Sequence, residues 1–261
     1  MKLKLFVVYC LLQSIHGFDN SEELFTKKLN ISTDDPFKSA VLYIVGGHNA
    51  SIHPFQCSIQ SNRKHYCGCA VINSKFVLTA THCFEDHSPE SSTILVGTND
   101  LNRGGMRYEI EKLIPYEDTE ENPNDIALVK VKVPIQFNEN VLPIELDDKE
   151  VPDNAVVQLT GWGRMQARGT TPNKLQGVDL TVLAFDECKK TVVGDVLIDG
   201  HMCTKGVMGI GACKGDSGGP LTYGKKLVGI VSFGIPCGIG NPDVYSKVSY
   251  YFDWIKKNSQ T

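Results

Sequence analysis

At 261 residues, with 41% hydrophobic and 21% charged residues, the chain has the composition of an ordinary globular protein with room for one large domain or two small ones. Its formal net charge of −4 gives no reason to expect nucleic acid or an anionic membrane as a partner. No segment after the N-terminus is long and apolar enough to span a bilayer.

Residues 1–17 have the pattern of a secretory signal: Lys2 and Lys4, the apolar run Leu5 to Leu12, then small and polar residues to Gly17. Export to an extracellular, oxidising compartment is therefore expected. Residues 18–43 are polar, of mixed charge and free of cysteine, as in a pro-segment that is later removed. Asn30-Ile31-Ser32 and Asn49-Ala50-Ser51 are glycosylation sequons. Cys10 falls in the leader, which leaves an even number of cysteines whose pairing spacing alone does not decide. A metal site is the weaker reading, because Cys67-Gly68-Cys69 is the only close pair and no second Cys or His pair stands at zinc-finger spacing.

From Ile44-Val45-Gly46-Gly47 onward come many short β-type runs broken by Gly, Asn, Asp and Pro. Examples are Phe55 to Gln60, Phe76 to Thr79, Ser92 to Val96 and Val156 to Gly161. Val129 to Val133 alternates as a half-buried strand does, and Leu227 to Phe233 is a nearly continuous apolar run, as in a strand buried on both faces. Only the C-terminal end predicts a helix, with Val248, Phe252 and Ile255 at helical spacing and Lys256 and Lys257 near its C-terminus. The pattern predicts an all-β barrel or sandwich closed by one helix.

Chemistry concentrates in Gly211-Ala212-Cys213-Lys214-Gly215-Asp216-Ser217-Gly218-Gly219-Pro220. Glycine lets backbone N–H groups turn toward a ligand, which suits a nucleophilic serine beside a hole for developing negative charge. A serine hydroxyl needs a base, and His82, following an apolar strand in Leu78-Thr79-Ala80-Thr81-His82-Cys83, is the candidate. His48, His53, His65, His87 and His201 stand in polar or turn-like settings and are read as surface or structural. Asp125, entering the apolar run Ile126-Ala127-Leu128, is a carboxylate that needs a partner and fits the role of orienting the imidazole.

The order IVGG, LTATHC, NDIALVKV, TGWG, GDSGGP and terminal helix resembles the chymotrypsin-like serine peptidases, and most of all those of invertebrates. The resemblance covers Ile44 to the C-terminus and implies two six-stranded antiparallel β-barrels with a cleft between them and a C-terminal α-helix. It implies a secreted serine endopeptidase with Ser217 as nucleophile, His82 as base then acid, Asp125 as its orienter, and the N–H groups of Gly215 and Ser217 as oxyanion hole. It further implies three disulfides, Cys67 to Cys83, Cys188 to Cys203 and Cys213 to Cys237. Cys57 and Cys69 fall outside that set and are either a fourth bridge or two buried thiols.

By the same resemblance the primary substrate pocket is built from Gly211, Ser232, Phe233, Gly234 and Asp243, and takes large apolar residues, with Lys and Arg as the alternative. Cleavage of Tyr43–Ile44 frees an amine that pairs with Asp216, which before cleavage is expected on His65 and Ser58. Lys214 is expected to favour acidic residues after the scissile bond, and the acidic run Glu117, Asp118, Glu120 and Glu121 to favour basic ones upstream. No cofactor or metal is expected; the loop Thr98 to Gly105, where some relatives hold calcium, has Asp100 as its only carboxylate. Partners are then protein and peptide substrates and protein protease inhibitors, with the chain a monomer. The rival readings are a regulatory cascade protease and an inactive homologue that binds without cleaving.

Overall fold

The computed structural model describes residues 44–116, 123–166, 169–235 and 237–260, all within one compact unit. The leader, the pro-segment with Tyr43 and Asn30, and the acidic run from Glu117 to Glu121 lie outside them. Among the described residues, no helix is long and apolar enough to cross a membrane.

After the short strand β1 (His48–Asn49), six strands form a closed antiparallel barrel. They are β2 (Gln56–Ser61), β3 (Lys64–Val71), β4 (Phe76–Thr79), β5 (Ser92–Val96), β6 (Met106–Pro115) and β7 (Ala127–Val131). The barrel closes because β2 pairs with β3 on one edge and β5 on the other. Asn62 and Arg63, at φ of 51° and 62°, turn β2 into β3, the two left-handed residues of a tight hairpin. Ile59, Leu78, Ile94 and Leu128 are fully buried inside, each contributing about 1.5–3 kcal/mol relative to exposure.

Strand β8 (Glu145–Leu146) leads to the second barrel. Its strands are β9 (Val156–Gly161), β10 (Gln176–Leu183), β11 (His201–Thr204), β12 (Pro220–Tyr223), β13 (Lys226–Gly234) and β14 (Asp243–Lys247). They run in the order β9-β10-β11-β14-β13-β12, and pairing of β9 with both β10 and β12 closes the ring. Ile44, Leu159, Leu221 and Tyr245 form the centre of its core.

A short helix, α1 (Phe185–Cys188), precedes β11, and the chain ends in α2 (Val248–Asn258). Val248, Tyr251 and Ile255 form the buried stripe of α2, with Phe252 only half-buried. That stripe joins the core of the first barrel, where Tyr116 packs edge-on against Tyr251 and Trp254. The last helix thus ties the end of the chain to the half it does not belong to in sequence.

Four disulfides are formed: Cys57–Cys69, Cys67–Cys83, Cys188–Cys203 and Cys213–Cys237. Cys57 and Cys69 are bridged because they are register partners on β2 and β3, with Cα atoms 4.8 Å apart. The alternation at Val129 to Val133 does not describe β7. Ala127, Leu128 and Val129 are buried on both faces, the strand ends at Val131, and Val133 lies beyond it, 58% exposed.

Candidate active site

His82 sits in a single 3₁₀ turn (Thr81–Phe84) directly after β4, and Cys83 anchors that turn to β3 through Cys67. Its Nδ1 lies 2.8 Å from Asp125 Oδ2, and its backbone N–H donates to Asp125 Oδ1 at 3.0 Å. Asp125 precedes β7, the strand paired with β4, so sheet register brings the two residues together.

The second barrel and α2 hold the acid in place. Ser232 Oγ donates to Asp125 Oδ2 at 2.5 Å, and Ser246 Oγ donates to the Asp125 carbonyl at 2.6 Å. Tyr251 donates its hydroxyl to Asn124 Oδ1 at 2.7 Å. Ser232 lies where the register of β13 against β14 shifts, and such irregularities re-aim side chains. Burial alone works to raise the Asp125 carboxyl, but the His82 charge and the hydrogen bonds from His82 and Ser232 outweigh it, bringing it down to about 2. Burial works against a charged His82, yet the nearby Asp125 carboxylate and its hydrogen bond, helped by Glu85, raise the imidazole above its ordinary value.

Ser217 stands on a loop pinned from both barrels: Gly68 N–H donates to the Ser217 carbonyl at 2.7 Å, and Gly218 N–H to the Val231 carbonyl at 2.8 Å. Gly218 has φ +73°, and a Cβ there would lie 2.7 Å from the Gly68 carbonyl and 3.2 Å from the Ala80 nitrogen. The loop therefore packs against the residues that lead into His82. No hydrogen bond joins Ser217 Oγ to His82 among the described residues, as is common in sites without substrate. Among the described residues the N–H groups of Gly215 and Ser217 donate to nothing, although their neighbours Asp216, Gly218 and Gly219 are all bonded.

Asp216 is fully buried and accepts from the N–H groups of Gly163 at 2.8 Å and Cys213 at 3.0 Å. A Cβ on Gly161 or Gly163 would collide with this carboxyl, which accounts for both glycines of the TGWG motif. Burial pushes the Asp216 carboxyl up to about 7; the two N–H bonds oppose that, and Asp243 adds to it. The expected pairing of Asp216 with His65 and Ser58 is not formed. Ser58 Oγ meets His65 Nδ1 at 2.8 Å, but His65 Nε2 meets the Gly215 carbonyl, also at 2.8 Å, because the Asp216 side chain turns to Gly163 and Cys213.

Ile44 is fully buried in the core of the second barrel, and the Val45 carbonyl accepts from Gly211 N–H at 3.1 Å. No cation pairs with Asp216 among the described residues. Gly211 and Gly234 both face Asp243: a Cβ on either would lie 2.7 or 2.8 Å from its carboxylate oxygens. Ala212 N–H donates to Asp243 Oδ2 at 2.8 Å, and burial pushes that carboxyl up to about 6. Phe233 is half-buried beside them, while the Ser232 hydroxyl is committed to Asp125. Lys214 is exposed at the loop's rim, and Asp100 pairs with Lys174 at 3.1 Å.

Two of the histidines read as surface or structural hold structural places. His65 lies on β3 against the Ser217 loop, and His201 is buried on β11 with its ring edge-on to Phe233. Ser246, Tyr251 and the bond from Ser232 to Asp125 carried no motif. The only available signal was a hydroxyl in an apolar run, which needs a buried partner.

The family model described as trypsin matches residues 44–255. Chymotrypsin-2 of Vespa crabro is 38% identical over 220 residues, covering 82% of this chain and 99% of that one. A trypsin of Phaedon cochleariae is 35% identical over 231 residues, covering 84% and 89%. Among solved structures, mouse neuropsin, described as a serine protease expressed in the limbic system, superposes with a TM-score of 0.75 at 26% identity, covering 82% of this chain and 99% of its own.

Proposed function

The chain belongs to the trypsin family of serine proteases, and from that premise we propose that Ser217, His82 and Asp125 are its catalytic residues. The observation that carries this reading is the pair of undonated N–H groups, Gly215 and Ser217, beside a serine whose loop packs against the His82 turn. Ser217 Oγ attacks the scissile carbonyl carbon while His82 Nε2 takes its proton. The carbonyl oxygen becomes an oxyanion held by the two N–H groups, each such donor being worth about 10²–10³ in rate. His82 then gives its proton to the amine nitrogen as the C–N bond breaks. Water repeats the sequence on the acyl-enzyme. Asp125 keeps the Nδ1–H tautomer of His82 and stabilises the imidazolium.

The pocket reading is a preference for Phe, Tyr and Leu before the scissile bond. It rests on the absence of an acid at position 211, where Gly211 and Gly234 flank the Asp243 carboxyl. Lys and Arg are the second reading, favoured by the Asp243 carboxyl between the two glycines. Relative kcat/KM on peptides differing only in that residue decides between them. A more than tenfold advantage for Lys or Arg overturns the first reading.

The remaining proposals concern processing. Residues 1–17 act as an export signal and 18–43 as a pro-segment, so that the enzyme is secreted as a zymogen. Cutting Tyr43–Ile44 releases an amine to pair with Asp216, a buried carboxyl that lacks a cation. A tyrosine at that bond suits an enzyme of the proposed specificity, so mature enzyme activates further precursor. A Ser217→Ala precursor treated with trace mature enzyme should expose Ile44; if only another protease exposes it, autoactivation is excluded.

A further inference from the structure

A chain of hydrogen bonds runs from the surface of the first barrel to the Ser217 loop. Arg107 Nη1, on the exposed side of β6, donates to Gln60 Oε1 at 2.5 Å. Gln60, 1% exposed, donates through Nε2 to Ser58 Oγ at 3.1 Å. Ser58 Oγ lies 2.8 Å from His65 Nδ1, and His65 Nε2 lies 2.8 Å from the Gly215 carbonyl.

The direction of every bond follows from the first. A guanidinium only donates, so it requires the amide oxygen of Gln60. The amide nitrogen is then left facing Ser58 and donates to it. The single Ser58 proton is thereby free for His65 Nδ1, which must be bare, so the ring proton sits on Nε2 and donates to the Gly215 carbonyl. With the Gln60 amide reversed, the bonds from Gln60 to Ser58 and from Ser58 to His65 are still made, but every proton points the other way. His65 Nε2 then has no proton, and two acceptors face each other across 2.8 Å. The Arg107 guanidinium at one end, which only donates, and the Gly215 carbonyl at the other, which only accepts, both favour the first direction.

The end of the chain matters because Gly215, at φ +102°, owes its conformation to its surroundings. The peptide before it, which carries the Gly215 N–H, is held where Arg164 N–H donates to the Lys214 carbonyl at 2.9 Å, and the peptide after it by His65 together with the Asp216 N–H, which donates to the Cys213 carbonyl at 2.9 Å. We propose that Arg107, through Gln60 and Ser58, reinforces the Nε2–H tautomer of His65 that the Gly215 carbonyl requires and so helps hold the Gly215–Asp216 peptide, making Arg107 a remote positioning residue for the oxyanion site. The proposal rests on the catalytic reading of Gly215 and Ser217 given above. Burial holds the His65 imidazole down to about 4, so it is neutral at working pH and its tautomer is the variable that counts.

Few charges face His65. Lys64 adjoins it on β3, and Asp216 follows Gly215 but turns its carboxyl to Gly163 and Cys213. The Trp162 ring packs edge-on to His65 with centroids 5.7 Å apart, and Arg107, with Arg63 repelling it, stands at the far end of the chain.

The test uses the full chain labelled with ¹⁵N-histidine, before and after cleavage at Ile44, and three variants. The unmodified protein should show His65 as the Nε2–H tautomer. Arg107→Met, a change at an exposed position, should shift that signal toward Nδ1–H. It should also lower kcat by about 3–10-fold with KM within about twofold, a fraction of the loss of a whole oxyanion donor. Arg107→Lys, also a pure donor, should restore both. Gln60→Glu can only accept, so Ser58 turns its proton away from His65, and activity should then need a doubly protonated ring. Its kcat should fall as pH rises through the His65 imidazolium pKa, a limb the unmodified enzyme lacks. An unchanged tautomer in Arg107→Met, or no new limb in Gln60→Glu, overturns the proposal. If the unmodified protein cleaves nothing, the catalytic reading fails, and the tautomer measurement alone decides the relay.

Discussion

Ser232 and His82 share one oxygen: both bond Asp125 Oδ2, at 2.5 Å and 2.8 Å, from opposite barrels. The acid that orients the imidazole of one barrel is thus tuned by a hydroxyl of the other. Removing that hydroxyl with Ser232→Ala leaves the carboxylate more basic and its grip on the imidazolium stronger. A more strongly held imidazolium leaves less neutral base at acid pH, so kcat/KM should fall on the acid side of the profile and change little above it. The acid limb of the pH profile should also move to higher pH. An unchanged rate and limb would show that Ser232 is idle.

The unmodified enzyme should itself show an acid limb above the ordinary imidazole range. His82 must be neutral to accept the Ser217 proton, and Asp125 raises its pKa. Activity is therefore lost as pH falls through the raised value, and kcat/KM against pH with an uncharged substrate reads it directly.

Under the proposed activation at Ile44, Asp216 should make the precursor and the cleaved form respond to pH differently. Its folded pKa of about 7 lies above its unfolded value, so the stability it contributes is fully present below the unfolded pKa and is lost as pH rises through about 7. The Ser217→Ala precursor should lose several degrees of Tm between pH 5 and pH 8 from this group. The same protein cleaved before Ile44 gains an amine, whose ordinary pKa is about 7.7–8.0, and should lose less. Equal losses in the two forms would remove the proposed pairing.

In the proposed substrate pocket, Asp243 should give a pH-dependent preference. With its carboxyl at about 6, a Lys substrate should gain on a Tyr substrate as pH rises through that value, and lose ground below it. Asp243→Asn should flatten the ratio. A ratio that keeps its pH dependence in the variant would place its origin outside the pocket.

Local patterns carried the barrels well, because β4, β5 and β9 are short apolar runs bounded by turn residues and needed no distant information. The alternation at Val129 to Val133 misled because β7 is covered on both faces by parts of the chain that its own residues do not encode. Ile44, His82, Asp125 and Ser217 were legible through motifs. The groups that hold them were not: Ser232, Ser246, Tyr251, Gln60 and Arg107 are ordinary residues whose roles depend on contacts across long stretches of chain. Cys57 and Cys69 needed only their register, which a sequence does not print.

A fluorophosphonate probe followed by peptide mapping shows whether Ser217 becomes a nucleophile once Ile44 is freed. A single adduct is expected on Ser217 after cleavage of Tyr43–Ile44, abolished by His82→Ala and by acetylating the Ile44 amine. An adduct elsewhere, no adduct at all in the cleaved chain, or full labelling of the acetylated protein would contradict that role of Ser217.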